Sequence, residues 1–151
     1  MVDCYRKKYP GGYINAVQRI PVYWGHYSIV EAELGCLTDL MGSGRNWSYA
    51  IDMAGSELMM VTNKEMVAEL SANMGRIHTQ SNLLSKQKDL LDRIEYRHKY
   101  DWPFRRMRLE KHDPPPFNLT IYKGAKSWRL TRTFVHFLLN HPVAKAFLGK
   151  F

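Results

Sequence analysis

One carboxylate, Glu57, stands at a glycine turn that follows an apolar run in the stretch from Trp47 to Val67. Ligands of open α/β sheets bind beside the carboxyl ends of strands, so a carboxylate just past Gly55 can hydrogen-bond a bound ligand. The alternative is that Glu57 stabilises only the turn, or the start of the next helix, electrostatically. Both interpretations stay open at this point.

Metal chemistry is not indicated. The two cysteines, Cys4 and Cys36, show no C-x-x-C or Cys/His spacing, and the six histidines are dispersed without an H-x-x-x-H pair. We therefore predict no metal site and no disulfide scaffold. Two N-x-[ST] sequons, at Asn46 and Asn118, are candidate glycosylation sites and slightly favour a secretory compartment.

Composition points to one domain with a real core, since the chain has 151 residues of which 45% are hydrophobic. A net charge of +8 favours anionic partners such as phosphates, acidic glycans or nucleic acid. The basic residues are scattered, however, and the one dense run, Arg105 to His112, is interpreted as a solvated segment near a loop rather than a nucleic-acid arm. Without a signal peptide or a long apolar run, the chain on its own is expected to be soluble.

Helices and strands are predicted to alternate, which is typical of an α/β fold. Helices are expected over 29–41 and 63–74, the second beginning with a capping box of Thr62 and Glu65. A last helix is expected after Thr131 or Thr133, with Phe134, Val135, Leu138 and Leu139 on its apolar face. The range 84–100 has poor periodicity and is also assigned to a helix.

Strands are predicted at four short apolar segments, 20–23, 47–53, 119–122 and 128–130. The second of these is nearly continuous in apolar character, which suggests burial on both faces as in a parallel sheet. The range 101–118 contains four prolines and is expected to be an irregular connection. Gly124 is expected to allow a tight turn or a close approach of two backbones.

Two long segments show ordered patterns. "VYWGHYSIVEAELGCLTDLMGSGRNWSYAIDMAGSELMMVTNKEMV", Val22 to Val67, contains a Trp turn, a helix ending E-L-x-C-x-x-D-L, an N-W-x-Y strand and a G-x-E turn before T-N-x-E-M-V. The second segment follows later in the chain and reads "PPPFNLTIYKGAKSWRLTRTFVHFLL". Both segments resemble the core 2/I-branching β-1,6-N-acetylglucosaminyltransferases, the glycosyltransferase family that also holds the peptide O-xylosyltransferases. Together they cover about half of the chain.

The resemblance implies inverting transfer of N-acetylglucosamine from UDP-GlcNAc to the 6-hydroxyl of an O-glycan sugar. The expected fold is A-type, Rossmann-like with a mixed sheet. In such a family a carboxylate deprotonates the acceptor hydroxyl, and basic side chains rather than a metal stabilise the leaving diphosphate. The implied partners are the UDP-sugar donor and a glycoprotein acceptor, with neither nucleic acid nor a cofactor. The implied location is the Golgi lumen, as a type II membrane protein in the full-length form.

Residues 1–151 are then expected to be a single partial domain. The family's amino-terminal strands and membrane anchor would precede Met1, and its catalytic base would lie beyond Phe151, so no catalytic residue is assigned within the chain. The alternatives are a protein O-xylosyltransferase-like enzyme and a non-catalytic glycan-binding remnant of the family.

The resemblance also supplies candidate substrate-binding residues. Glu57 matches the acidic position of the family's G-x-D/E turn, and Trp24 either borders the nucleotide pocket or packs as a helix-entry aromatic. Lys88 matches a basic position in the acceptor segment, or is a solvated surface lysine, and Arg93 lies near another. Gln80 and Leu91 depart from that segment's acid and arginine.

Both cysteines match positions of the same family. Cys36 matches a cysteine that is usually disulfide-bonded, and Cys4 resembles another. A Cys4–Cys36 bridge is an open possibility, which nothing in the spacing demands.

Overall fold

The structure is a computed structural model and describes residues 20–23, 25–83, 96–101, 105–111 and 113–149. Contacts divide the chain into two units, Met1–Asn46 with Phe151, and Trp47–Lys150. Most of the helix predicted over 84–100 lies outside the described residues. In the described ranges no helix is both long and apolar enough to cross a bilayer.

The first unit contains helix α1, Ser28–Gly42, which confirms the helix predicted from the spacing of apolar residues. Leu37 on this helix is only 4% exposed. Burial, and to a smaller degree the Glu31 carboxylate, raise the pKa of Tyr27 just before the helix.

The strand predicted over 20–23 is wrong, because these residues pair with no strand in the described part of the unit. The Tyr23 N–H donates to the Ser28 hydroxyl at 3.1 Å, and the Tyr23 carbonyl accepts from the His26 N–H at 3.1 Å. The backbone groups that a strand would offer to a neighbour are thus used locally, at the entry to α1.

The second unit mixes short strands with helices. In chain order its elements are β1 (Tyr49–Ile51), α2 (Asn63–Ala72), β2 (Ser81–Leu83), β3 (Tyr96–Asp101), β4 (Arg105–Lys111), a 3₁₀ turn (Pro116–Asn118), β5 (Tyr122–Gly124), β6 (Arg129–Thr131), α3 (Arg132–Asn140) and α4 (Pro142–Leu148). The strands form three two-stranded antiparallel sheets, β1–β6, β2–β5 and β3–β4. The mixed α/β class is confirmed, whereas the Rossmann-like A-type arrangement is not shown by these strands and stays a prediction.

Strand β1 is shorter than predicted and antiparallel rather than parallel. It pairs with β6 in the register Tyr49↔Thr131 and Ile51↔Arg129. Only its central residue, Ala50, is buried, and Leu130 opposite it is buried as well. A run of apolar residues predicts a buried strand but contains no information on the direction of its partner, which explains the error.

Helix α2 begins with the predicted capping box. The Thr62 hydroxyl accepts from the Glu65 N–H at 3.3 Å, and the Glu65 carboxylate accepts from the Thr62 N–H at 2.8 Å. These bonds lower the pKa of Glu65. No residue of α2 is buried, and Val67 is 62% exposed.

Strands β3 and β4 form a hairpin, with Tyr100 opposite Arg106 and a register shift between Tyr96 and His98. The prediction of an irregular connection over 101–118 is therefore wrong for Arg105–Lys111, and 96–100 is strand rather than helix. The prolines mark the ends of this hairpin instead of interrupting it: Pro103 stands between the strands in sequence, and the others follow β4.

Strand β5 begins three residues later than predicted, at Tyr122. The residues Phe117 and Asn118 before it adopt positive φ angles of 58° and 52°, so the chain is still turning there. Gly124 makes the predicted close approach, since a Cβ at this position would lie 3.0 Å from the Gln80 carbonyl oxygen.

The predicted last helix is present as α3, capped by the Thr131 hydroxyl, which accepts from the Phe134 N–H at 3.2 Å. Val135 on its apolar face is fully buried. The helix ends at His141, whose imidazole Nδ1 accepts from the Val143 N–H at 3.3 Å and so caps α4. Pro142 in the first turn of α4 explains the break, because proline fits a first turn but not a helix interior.

Candidate functional site

A cleft of about 470 Å³ lies in the second unit, between the end of β1, the segment that leads into β2 and the connection from β5 to β6. Its lining is mostly polar, with one large aromatic side chain. The lining residues are Ile51, Asp52, Ile77, His78, Thr79, Gln80, Ala125, Ser127, Trp128 and Arg129.

Backbone hydrogen bonds hold the three walls of this cleft together. His78 and Arg129 exchange two bonds, at 3.0 and 2.9 Å, and the Asp52 N–H donates to the Trp128 carbonyl at 3.0 Å. The Tyr49 ring lies beside the His78 imidazole at a centroid distance of 6.4 Å. The positions of Asp52 and His78 are therefore determined by the sheet rather than by free loops.

Two side-chain atoms in the cleft lack a hydrogen-bond partner among the described residues. They are Asp52 Oδ2 and His78 Nε2, and both are covered from solvent. A buried polar atom without a partner costs about 1–3 kcal/mol, and native proteins contain few of them. This unused hydrogen-bonding capacity on two neighbouring walls marks the cleft as the candidate functional site.

The other charged side chain of the cleft besides Asp52 is Arg129, which is directed towards α2. Its guanidinium Nη1 contacts the Glu69 carboxylate at 2.5 Å. The pair is partly exposed, at 37% for Arg129 and 49% for Glu69, so its contribution to stability is small. Its effect on the cleft is electrostatic, because the carboxylate compensates the positive charge that Arg129 would otherwise present there.

Glu57 is exposed and hydrogen-bonded within the protein. One carboxylate oxygen accepts from the Ala54 N–H at 2.6 Å and the other accepts from the Ser127 hydroxyl at 3.2 Å. The Glu57 N–H donates to the Ala54 carbonyl at 2.9 Å, which closes the predicted turn. This geometry agrees with the alternative that Glu57 stabilises the turn, and it connects the turn to a cleft-lining residue. Contact of Glu57 with a sugar stays a prediction.

The other candidates are not among the residues that line the cleft, or lie outside the described residues. Trp24, Lys88, Arg93 and Cys4 belong to the latter group. Cys36 lies on α1 with an exposed, free thiol. The sequon residues Asn46 and Asn118 are both exposed, and their glycosylation stays a prediction. Within the described ranges, no three His, Cys, Asp or Glu side chains group closely enough to hold a metal ion.

Sequence reasoning did not identify Asp52 and His78. Asp52 carried a usable signal, because it follows β1 directly and the rule applied to Glu57 holds equally for it. His78 carried none, since its place in the cleft depends on backbone pairing with Arg129, which is distant in sequence.

Comparison with known proteins identifies relatives over most of the chain. The family model for the Core-2/I-branching enzyme matches residues 12–146. A zebrafish (Danio rerio) β-1,3-galactosyl-O-glycosyl-glycoprotein β-1,6-N-acetylglucosaminyltransferase 4 is 30% identical over 131 residues, which are 84% of this chain and 31% of that protein.

A human protein (Homo sapiens), numbered 3 in the same series, is 33% identical over 131 residues, or 84% of this chain and 28% of that protein. A relative from bovine herpesvirus 4 is 32% identical over 130 residues, with the same two coverages of 84% and 28%. The chain thus spans less than a third of the length of these curated relatives. Since the family model matches nearly the whole sequence, the chain belongs to the core-2/I-branching enzyme family.

Proposed function

We propose that this chain is part of a β-1,6-N-acetylglucosaminyltransferase, and that its cleft binds a sugar of the reaction. The observation that carries the proposal is the family match over residues 12–146, together with relatives whose names state this activity. The proposed donor is UDP-GlcNAc, and the acceptor is the 6-hydroxyl of an O-glycan sugar on a glycoprotein. The proposed framework is the A-type glycosyltransferase fold.

The composition of the cleft supports sugar binding. Carbohydrates present many hydroxyl groups and one apolar ring face, so they are bound by several hydrogen-bonding side chains beside an aromatic residue. Thr79, Gln80 and Ser127 supply hydrogen-bonding groups, and Trp128 supplies the aromatic ring. The net charge of +8 also favours association with an anionic UDP-sugar.

The proposed reaction is a single inverting displacement. The acceptor 6-oxygen attacks the anomeric carbon of N-acetylglucosamine, a base takes the hydroxyl proton, and the bond to UDP breaks with its electron pair leaving on the diphosphate. A hydroxyl is a weak nucleophile without a base, and basic side chains stabilise the leaving charge in the proposed metal-independent reaction. The contribution of the described residues is to bind and orient sugar; none of them is assigned as the base.

A transfer assay tests this proposal. The chain, and the same chain extended at both ends to the length of its relatives, are incubated with UDP-GlcNAc and a galactosyl O-glycan acceptor, with and without EDTA. We expect β-1,6-linked product from the extended protein, unchanged by EDTA.

Parallel reactions with UDP-xylose and a serine peptide test the other member of the family. Xylose transfer to serine would contradict the proposal and establish the O-xylosyltransferase alternative. Glycan binding without transfer of either sugar would establish a non-catalytic glycan-binding protein.

A further inference from the structure

We infer that Asp52 and His78 form a hydrogen-bonding pair that binds the hydroxyl groups of a neutral sugar in the cleft and disfavours a phosphate group there. The inference rests on the proposed function and deepens it, because it states which chemical part of the substrates this cleft takes. The observation behind it is that Asp52 Oδ2 and His78 Nε2 are the two covered, unpartnered side-chain atoms of the described residues.

The chemistry of the two atoms selects the ligand. An ionised carboxylate only accepts hydrogen bonds, so Asp52 requires a donor. Imidazole Nε2 either donates or accepts, depending on the tautomer. A hydroxyl group donates and accepts at once, and adjacent sugar hydroxyls can therefore satisfy both side chains. A phosphate has acceptor oxygens and negative charge, and meets a carboxylate unfavourably.

The charges around the cleft also favour a neutral sugar over a phosphate. Its lining contains the carboxylate of Asp52 and the guanidinium of Arg129, and the latter is paired with Glu69 at 2.5 Å. Glu57 adds a second carboxylate behind Ser127, which it contacts at 3.2 Å. The positive charge of Arg129 is thus compensated, whereas Asp52 Oδ2 has no partner in the described part of the chain.

Access to the two atoms requires only small movements. Both residues line the cleft and are half-buried overall, although the atoms themselves are covered. We expect rotation of the Asp52 carboxylate or the His78 ring about its terminal torsion to expose the atom to a ligand, because such torsions are broad. The backbone of both residues is held in place by hydrogen bonds, between Asp52 and Trp128 and between His78 and Arg129.

Saturation-transfer NMR and titration calorimetry test the inference, with methyl β-galactoside and inorganic phosphate as separate probes. The protein is the full chain, in the natural form and as the variants Asp52→Asn and His78→Gln. Matched controls are Asp113→Asn and His136→Gln, which make the same chemical changes at exposed positions outside the cleft lining. Circular dichroism verifies that each variant is folded.

We expect the galactoside to bind the natural chain, and each cleft substitution to weaken binding by about tenfold. We expect the controls to bind like the natural chain, and phosphate to bind measurably only after Asp52→Asn. Phosphate binding in the cleft of the natural chain, no galactoside binding, or equal galactoside affinity in the natural chain and both cleft variants would overturn the inference.

The same variants in the transfer assay separate this inference from the proposed function. Transfer that is unaffected by Asp52→Asn and His78→Gln would leave the function standing and sink the inference. Galactoside binding that depends on both residues, with no transfer by the extended protein, would support the inference and contradict the function.

Discussion

Asp52 and Glu57 stand on the two sides of the same glycine turn after β1, yet their carboxylates have opposite environments. Glu57 is exposed, and both of its oxygens accept hydrogen bonds from the protein, at 2.6 and 3.2 Å. Asp52 is half-buried, and its Oδ2 is covered without a partner among the described residues. A carboxylate that is satisfied within the protein stabilises structure, whereas an unsatisfied one in a cleft costs stability and remains available to a ligand.

This difference shows why a conspicuous acidic residue at a turn is a poor indicator of a binding site by itself. The turn needs an acceptor for the Ala54 N–H, and Glu57 provides it. Only the pairing of β1 with β6 brings Ser127 and Trp128 close to Asp52, so that the three residues line one cleft.

The largest expected effect that separates the two carboxylates is on sugar affinity. Glu57→Gln keeps the shape of the side chain and acts on the cleft only through Ser127, so we expect it to weaken galactoside binding by about twofold, against about tenfold for Asp52→Asn. Titration calorimetry on both variants measures the ratio. A larger loss from Glu57→Gln than from Asp52→Asn would reverse the comparison.

Stability is expected to change in opposite directions at the two sites. Asp52→Asn removes an unpaired, covered charge and should raise the free energy of unfolding by about 1 kcal/mol, because a desolvation penalty is relieved. Glu57→Ala removes two hydrogen bonds and should lower it by about 1 kcal/mol. Urea unfolding monitored by circular dichroism gives both values. Ser127→Ala removes only one of the two bonds and is the control, with an expected loss of about half that size.

Removal of the Glu69 carboxylate tests how the charge of Arg129 affects phosphate binding in the cleft. In the Asp52→Asn variant, the further change Glu69→Gln frees the Arg129 guanidinium, so we expect phosphate affinity in the cleft to rise by about threefold with little change in stability, since exposed ion pairs contribute about 0–1 kcal/mol. Phosphate titrations at low and high salt measure it. Asp113→Asn in the same variant, which also removes an exposed carboxylate but lies outside the cleft lining, is the matched control, and an equal rise there would show a general charge effect instead.

The smallest expected effect concerns a third carboxylate, Glu65, which resembles Glu57 in being used by the backbone. Its hydrogen bonds with Thr62 lower its pKa below the ordinary value of a glutamate. A lowered pKa means that the folded state favours the ionised form, so its stabilisation is complete above the unfolded pKa and is lost as pH falls through the folded value. Helical ellipticity should therefore decline as the pH is lowered from about 7 to about 3, and part of this decline should be absent in the variant Glu65→Gln. An unchanged acid profile in that variant would contradict the assignment.

Local patterns predicted the elements whose causes are local. The capping box at Thr62, a cap at Thr131 or Thr133 and helix α1 were all predicted, because side chains within one or two turns determine them. The family was also apparent from ordered motifs that one chain carries without any tertiary information. The hairpin of β3 and β4 was not predicted, because proline positions were interpreted as interruptions when they mark its ends.

The sequence by itself determined the family, the helix caps and the turn at Ala54–Glu57. Only the tertiary structure decided that β1 is antiparallel to β6, that Glu57 is consumed by its own turn and Ser127, and that Asp52 and His78 share a cleft. The physical reason is range: caps and turns depend on atoms a few residues apart, whereas strand partners and the burial of a single polar atom depend on backbone pairing between distant segments.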